Sequence, residues 1–360
     1  MKVIDVETNE ALMWLRYVLN PDTEMPLISE WPALLAFAKK QAMTGLFLPD
    51  VKPPTLPKDI LLQWIGQVQL IEQQNKLLNK QVIILSETLK TSGIRYCILK
   101  GQGNALLYPA PKMRSPGDID VWVDLDEETM LRYVNSVYPE AKASFKHIKF
   151  PMFKDTPVDM HHTPLKIYHP IHNRRLQQWL NENKEEQMTH YMRLPETEKG
   201  IAIPTVRFNA VYQLGHIMIH LEDEGIGLRQ FVDYYYVLKH LNTCSKEERE
   251  EIVTIWSRLG MKKLASAVMW VEKELLGIQE EYLLVVPDKR KGLLLAKDIL
   301  EGGNFGHHSE REQYRRYGVF TKKLSNAWHM LKLSTCFPGD AFFRLLTKMK
   351  NGCKIVVNNW

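Results

Sequence analysis

Cysteine is scarce in this sequence of 360 residues. The four cysteines lie far apart, at Cys97, Cys244, Cys336 and Cys353. Because no two of them have the spacing of paired metal ligands, and no disulfide framework is suggested, we expect reduced and mostly buried thiols.

Long apolar runs are also lacking, since none approaches the roughly 18 residues that a membrane span requires. The acidic residues Asp5 and Glu7 stand where a secretory signal would carry its apolar segment. We therefore expect a cytoplasmic protein with no membrane partner.

An extreme charge balance is absent too. The net charge of +5 is compatible with an anionic substrate, but it is too small to demand nucleic acid as a partner. Much of the excess is local, because the last forty residues contain a single acid, Asp340, and seven basic residues: Lys322, Lys323, Lys332, Arg344, Lys348, Lys350 and Lys354. A nucleic-acid-binding protein that uses this basic segment stays open as a minor alternative.

Apolar periodicity, prolines and glycines divide the chain into four segments. Residues 1–57 contain helical pieces broken by prolines, and residues 58–91 have the pattern of a long amphipathic helix that ends at Ser92-Gly93. The remainder of segment 58–165 is rich in strands and includes a helix over 127–137. Segment 166–290 is mainly helical, with helices over 171–183, 204–222, 228–241, 246–260 and 262–276, and segment 291–360 has broken helices and the basic end. This order predicts an α+β fold, in which a small mixed sheet is flanked by N- and C-terminal helical lobes.

Two aspartates stand at the start of an apolar strand. Asp118 and Asp120 follow the turn Ser115-Pro116-Gly117, and side chains two residues apart on a strand point to the same face. A second short strand carries Asp159. Hard carboxylate oxygens suit Mg²⁺ or Mn²⁺ better than softer metals. We predict that Asp118, Asp120 and Asp159 bind metal, although aspartates also favour such turns without one.

A buried strand, residues 95–99, leads into the glycine turn Lys100-Gly101-Gln102-Gly103 and then into a helix. Free backbone N–H groups in such a turn attract anions. The turn is not a P-loop, because the Gly-Lys-Ser/Thr ending is missing. The pattern indicates a cradle for phosphate.

Taken together, these motifs resemble the nucleotidyltransferase superfamily of the polymerase β type, and within it a group of uncharacterised bacterial nucleotidyltransferase-like proteins. The resemblance rests on their order along the chain: Leu99-Lys100-Gly101, Tyr108, Arg114, Asp118-Ile119-Asp120 and Asp159-Met160-His161. It implies a nucleotidyltransferase-fold lobe in which the three aspartates are catalytic and hold the metal, while Gly101 and its neighbours hold a triphosphate.

The nucleotide-binding residues expected on this basis are Lys100, Gly101, Gln102, Gly103, Arg114, Ser115 and Arg229. Lys100 and Arg114 are included for their positive charge rather than from the family pattern. One departure is that Gln102 follows Gly101, where characterised members of the superfamily have Gly-Ser or Gly-Gly.

Three further residues are secondary candidates. Strand alternation puts His161 on the face of Asp159. His220 with Arg229 and Asp233 forms a polar patch on two predicted helices, or, alternatively, Arg229 and Asp233 form a buried ion pair. His216 and His220 do not make a zinc-protease motif, because Ile217 stands where that motif needs glutamate.

The resulting expectation is an enzyme that uses Mg²⁺ or Mn²⁺ to move a nucleoside monophosphate from an NTP to an unidentified acceptor, with release of pyrophosphate. The main alternative is a nucleotide-binding or regulatory module of the same fold that has lost catalysis, which the missing serine after Gly101 motivates.

Overall fold

Helices make up most of the computed structural model, which describes residues 5–49, 53–139, 147–195, 197–223, 225–304 and 328–357. The helices that precede and accompany the sheet are α1 (Val6–Leu19), α2 (Trp31–Lys40), α3 (Lys58–Thr91), α4 (Gly101–Ala105) and α5 (Glu127–Val137). The helices that follow the sheet are α6 (Pro170–Thr189), α7 (Val206–Asp223), α8 (Leu228–His240), α9 (Lys246–Arg258), α10 (Lys262–Glu274), α11 (Lys289–Gly302) and the C-terminal helix Pro338–Val357.

Helix α3 confirms the predicted long amphipathic helix over 58–91. Its buried residues recur every three or four positions, so that one side packs against the rest of the protein. The helix ends at Thr91 with Ser92 as its C-cap, and the following Gly93 has φ +69°, the left-handed conformation that glycine adopts without steric cost. The predicted stop and its cause are therefore both confirmed.

Four short strands form the central sheet: β1 (Tyr96–Leu99), β2 (Ile119–Val123), β3 (Ile148–Lys149) and β4 (Val158–His161). Their order across the sheet is β1-β2-β4-β3. β2 is antiparallel to β1 and parallel to β4, and β3 is antiparallel to β4. The parallel pair is joined through α5, which matches the predicted helix over 127–137 and begins at the N-cap Asp126. The mixed sheet in a largely helical protein confirms the predicted α+β class.

Two apolar cores lie on opposite faces of this sheet. One contains alternate residues of β2, Ile119, Val121 and Val123, packed with buried residues of α3 and α5. The other, larger core joins the helices to the opposite face, where Trp122 of β2 packs. Because side chains alternate along a strand, Asp120 shares the Trp122 face and is directed towards the helical part of the chain.

A two-stranded hairpin interrupts the segment that was predicted to be helical. Strands β5 (Tyr191–Arg193) and β6 (Gly200–Ala202) pair antiparallel between α6 and α7. The predicted helix over 171–183 continues to Thr189, because Gln187 and Met188 carry the buried stripe one turn further. The hairpin is short, with two strands of three residues each, and its alternation is too brief to detect by periodicity.

No helix among the described residues is long and apolar enough to cross a membrane. Part of the basic C-terminal segment lies outside the described residues, including Lys322 and Lys323, so the nucleic-acid alternative stays a prediction.

Candidate metal centre

Three carboxylates converge at one end of the sheet. Asp118 lies just before β2, Asp120 is the second residue of β2, and Asp159 lies directly opposite Asp120 in the parallel strand β4. One carboxylate oxygen from each of the three lies within 4.8 Å of the others. Asp118 is exposed, Asp159 is half-buried and Asp120 is buried. The alternation of side chains thus assembles the triad that the sequence predicted.

Two basic groups contact Asp120. The Lys100 ammonium lies 2.7 Å from its Oδ2, and the His161 ring donates from Nε2 to its Oδ1 at 2.9 Å. Burial acts to raise the pKa of Asp120, but the Lys100 charge and the His161 hydrogen bond outweigh burial and hold that pKa well below its usual range. Burial likewise opposes the charge of Lys100, and Asp120 more than compensates, so the pKa of Lys100 is raised. Asp120 is therefore an anion at all physiological pH values.

Asp159 has the opposite electrostatic environment. Burial raises the pKa of Asp159, His147 at 3.3 Å from its Oδ2 counteracts this, and the two neighbouring carboxylates raise the pKa further. Its Oδ1 is buried and has no hydrogen-bond partner within the described part of the chain. A buried carboxylate oxygen without a protein donor, beside two more carboxylates, is a donor set that a hard divalent cation satisfies. The residues present therefore fit Mg²⁺ or Mn²⁺.

The glycine turn at residues 100–103 lies against the loop that leads to Asp118. Lys100 and Gly101 have φ values of +48° and +38°, and a Cβ added to Gly101 would lie 3.6 Å from the carbonyl oxygen of Asp118. This sharp turn is what directs the chain from β1 into α4 next to the carboxylates. The Gln102 side chain donates to Asn79 of α3 at 2.5 Å and is buried. The residue that replaces the usual serine is thus anchored to α3 through its side chain.

Arg114 is buried, with 6% of its side chain exposed, and forms a bidentate pair with Asp233 of α8 through two hydrogen bonds of 2.8 Å. The Tyr108 hydroxyl donates to the same carboxylate at 2.6 Å. Burial opposes the charge on Asp233, but the Arg114 guanidinium lowers the pKa of Asp233 nonetheless. The bidentate partner of Asp233 is therefore Arg114, where the sequence had suggested Arg229.

Arg229 lies on the same helix α8, and its Nη1 donates to the backbone oxygen of Ser115 at 3.2 Å. Arg114 donates to that oxygen as well, at 3.3 Å. A Cβ on Gly117 would lie 3.8 Å from the Arg229 guanidinium. Both arginines thus hold the short loop that leads to Asp118, and the predicted nucleotide contacts of Arg114, Ser115 and Arg229 stay predictions.

The structure places His161 on the face that strand alternation predicted, and it brings His220 against His216. His161 does share a face with Asp159, but its hydrogen bond is to Asp120. His220 contacts His216 at 2.9 Å between their Nε2 atoms, and His216 in turn lies 3.2 Å from Lys100. The i, i+4 spacing of His216 and His220 was visible in the sequence, but their proximity to Lys100 was not. His147 was missed, because β3, the strand that follows it, has only two residues and gives no periodic pattern.

One known family matches most of the chain. The sequence pattern of a family described as uncharacterised nucleotidyltransferase matches residues 29–277. A solved structure of an antigenic nucleotidyltransferase-like protein from Paracoccidioides brasiliensis is similar at 14% identity and a TM-score of 0.32, over 53% of this chain and 92% of that chain. No curated protein matches the sequence. Since the family match spans more than half of the chain and includes the Lys100–Gly101 turn and all three aspartates, the chain belongs to the uncharacterised nucleotidyltransferase family.

Proposed function

We propose that the protein is a metal-dependent nucleotidyltransferase that moves a nucleoside monophosphate from an NTP to an acceptor hydroxyl or phosphate, with release of pyrophosphate. The observation that carries the proposal is the convergence of Asp118, Asp120 and Asp159 within 4.8 Å, beside the turn at Lys100–Gly101. Family membership supports the reaction class.

In this proposal the three aspartates hold Mg²⁺ or Mn²⁺. When bound, the metal neutralises phosphate charge and makes the acceptor more acidic. Asp159 accepts the proton of the acceptor hydroxyl, the acceptor oxygen forms a bond to the α-phosphorus, and the bond from that phosphorus to the bridging oxygen of the β-phosphate breaks. Pyrophosphate then carries away the bonding electron pair.

The triphosphate is assigned to the turn at residues 100–103. The ammonium of Lys100 supplies a positive charge, and the backbone N–H groups of Gly101, Gln102 and Gly103 supply neutral donors. The loop of Ser115, held by two guanidinium groups, positions Asp118 relative to the turn. In this proposal, catalysis consists mostly of positioning the reactants and stabilising the charge on the phosphates.

Titration calorimetry with each of the four NTPs, with and without Mg²⁺, tests the proposal. Asp118→Asn is the sharpest variant, because Asp118 is exposed and its substitution does not disturb a buried contact. We expect wild-type protein to bind an NTP only with Mg²⁺, and Asp118→Asn to lose that binding with an unchanged melting temperature. The exposed Asp155, in the turn before β4, provides the matched control Asp155→Asn, which should bind as wild type does.

Unchanged NTP binding by Asp118→Asn would refute the metal site. The anchored side chain of Gln102 favours the second candidate, a nucleotide-binding module without transferase activity. A pyrophosphate-release assay separates the two functions, because the module binds NTP with Mg²⁺ but releases no pyrophosphate with any acceptor.

A further inference from the structure

Helix α7 extends a row of three rings towards the nucleotide site. Tyr212, His216 and His220 follow one another at intervals of one turn. The ring of Tyr212 stacks on that of His216, with centroids 6.1 Å apart and planes at 17°. His220 meets His216 edge-on, with centroids 4.3 Å apart. The middle ring is thereby held from both sides.

The contacts of His216, the middle ring, indicate which of its nitrogens carries the proton. The Nε2 of His216 lies 3.2 Å from Lys100 Nζ and 2.9 Å from the Nε2 of His220. A lysine ammonium can only donate, so His216 Nε2 must be the acceptor and must carry no proton. His216 is therefore assigned as a neutral ring protonated at Nδ1, and its single Nε2 lone pair is shared between Lys100 and the His220 ring. Burial, the Lys100 charge and the nearby His220 all lower the pKa of His216, in agreement with this assignment.

Lys100 thus has two partners, one in the sheet and one on helix α7. Its ammonium is 2.7 Å from Asp120 on β2 and 3.2 Å from His216 on α7. An ammonium has three N–H donors. Its third N–H has no partner among the residues that the structure describes. This donor is the one that remains for a substrate anion.

We propose that His216 is a positioning residue that holds the Lys100 ammonium in place to bind the phosphates of the NTP, an inference that rests on the proposed function. His216 itself does not touch substrate. It restricts a long, flexible side chain to one position, so that less conformational freedom is lost when the phosphate binds.

Two substitutions separate positioning from simple packing. His216→Gln places an amide oxygen near the position of Nε2 and keeps an acceptor for Lys100, whereas His216→Leu fills similar space without one. Loss of the acceptor leaves the Lys100 side chain more positions to adopt, and that freedom is then lost when the phosphate binds. We therefore expect His216→Leu to bind the Mg²⁺–NTP that wild type prefers about tenfold or more weakly in titration calorimetry, and His216→Gln to recover most of that loss.

A second measurement does not depend on nucleotide. Acetic anhydride labelling of the full chain, followed by mass spectrometry, reports how tightly the Lys100 amine is held. We expect Lys100 to be labelled faster in His216→Leu than in wild type or His216→Gln, with Lys112, which pairs with Glu72 at 3.0 Å, as an internal reference. Melting temperatures verify that both variants fold.

The outcomes are distinguishable. Equal labelling of Lys100 in wild type and His216→Leu would overturn the inference, as would a loss of NTP affinity that Gln does not rescue. If wild type binds no NTP under any condition, the proposed function fails, and the assigned role of His216 towards phosphate fails with it.

Discussion

The buried pair of Arg114 and Asp233 gives the sharpest prediction on stability. Both side chains are about 6% exposed, and two hydrogen bonds of 2.8 Å join them. Asp233→Asn preserves the size of the side chain but leaves the Arg114 charge without a counter-charge. Removal of one partner from a buried ion pair costs about 3–5 kcal/mol. We expect Asp233→Asn to lower the free energy of unfolding by this amount, a large part of the roughly 5–15 kcal/mol of a typical domain.

Urea unfolding followed by circular dichroism at pH 7 measures this change. The matched control is Glu251→Gln, which breaks an ion pair of similar length, 2.8 Å to Arg207, whose side chains are 56% and 42% exposed. Exposed pairs contribute about 0–1 kcal/mol, so the control should be nearly neutral. A loss for Asp233→Asn no larger than that of Glu251→Gln would refute the argument from burial.

The pH dependence provides an independent check. Because Arg114 lowers the pKa of Asp233 in the folded state, the stabilisation is complete above the ordinary value of 3.8 and is lost as pH falls through the folded pKa. The difference in stability between wild type and Asp233→Asn should therefore be constant from pH 5 to pH 8 and shrink as the pH falls below the ordinary value of 3.8. A difference that grows as pH falls would contradict the assigned charge states.

Four further changes test packing near the site and in the helical core. Gly45→Ala places a Cβ 2.2 Å from the Met113 carbonyl oxygen and should cost about 1–3 kcal/mol, whereas Gly66→Ala, with open space around it in α3, should stabilise by about 0.5–1 kcal/mol in the same urea assay. Asn75→Ala removes both donors to loop carbonyls at 2.8 and 2.9 Å and should lower the urea midpoint; an unchanged midpoint would contradict this. Glu272 is fully buried without a hydrogen-bond partner among the described residues, and burial raises its pKa, so Glu272→Leu should raise the melting temperature more at pH 8 than at pH 4.

Local sequence patterns were sufficient for part of the structure. The period of apolar residues predicted α3 to its ends, and strand alternation predicted that Asp118 and Asp120 share a face. Both inferences depend on fixed backbone geometry and need no knowledge of distant residues. Asp159 was grouped with them because a metal site needs a further carboxylate, and the resemblance to a known family implied the same grouping. Neither strand by itself shows that β2 pairs with β4.

The sequence did not show which distant residues form ion pairs or hydrogen bonds with each other. Arg114 and Asp233 are 119 positions apart, and Arg229, four residues from Asp233 on α8, is an equally reasonable partner by charge. Only the packing of α8 against the loop after Tyr108 decides between them. The same holds for Lys100 and His216, which are 116 positions apart. Residue types can suggest that a charge needs a partner, but they do not supply the partner's position.

The parallel register of β2 and β4 determines where the protein can tolerate an insertion or deletion. Val158 and Met160 are buried in the sheet core, whereas Asp159 and His161 face the carboxylate site, so deletion of a single residue within β4 would exchange the two sets. Methionine would then point at the metal ligands and aspartate into the apolar core, and the fold and the site would be lost together. Changes of length should therefore be tolerated only outside the four residues of this strand.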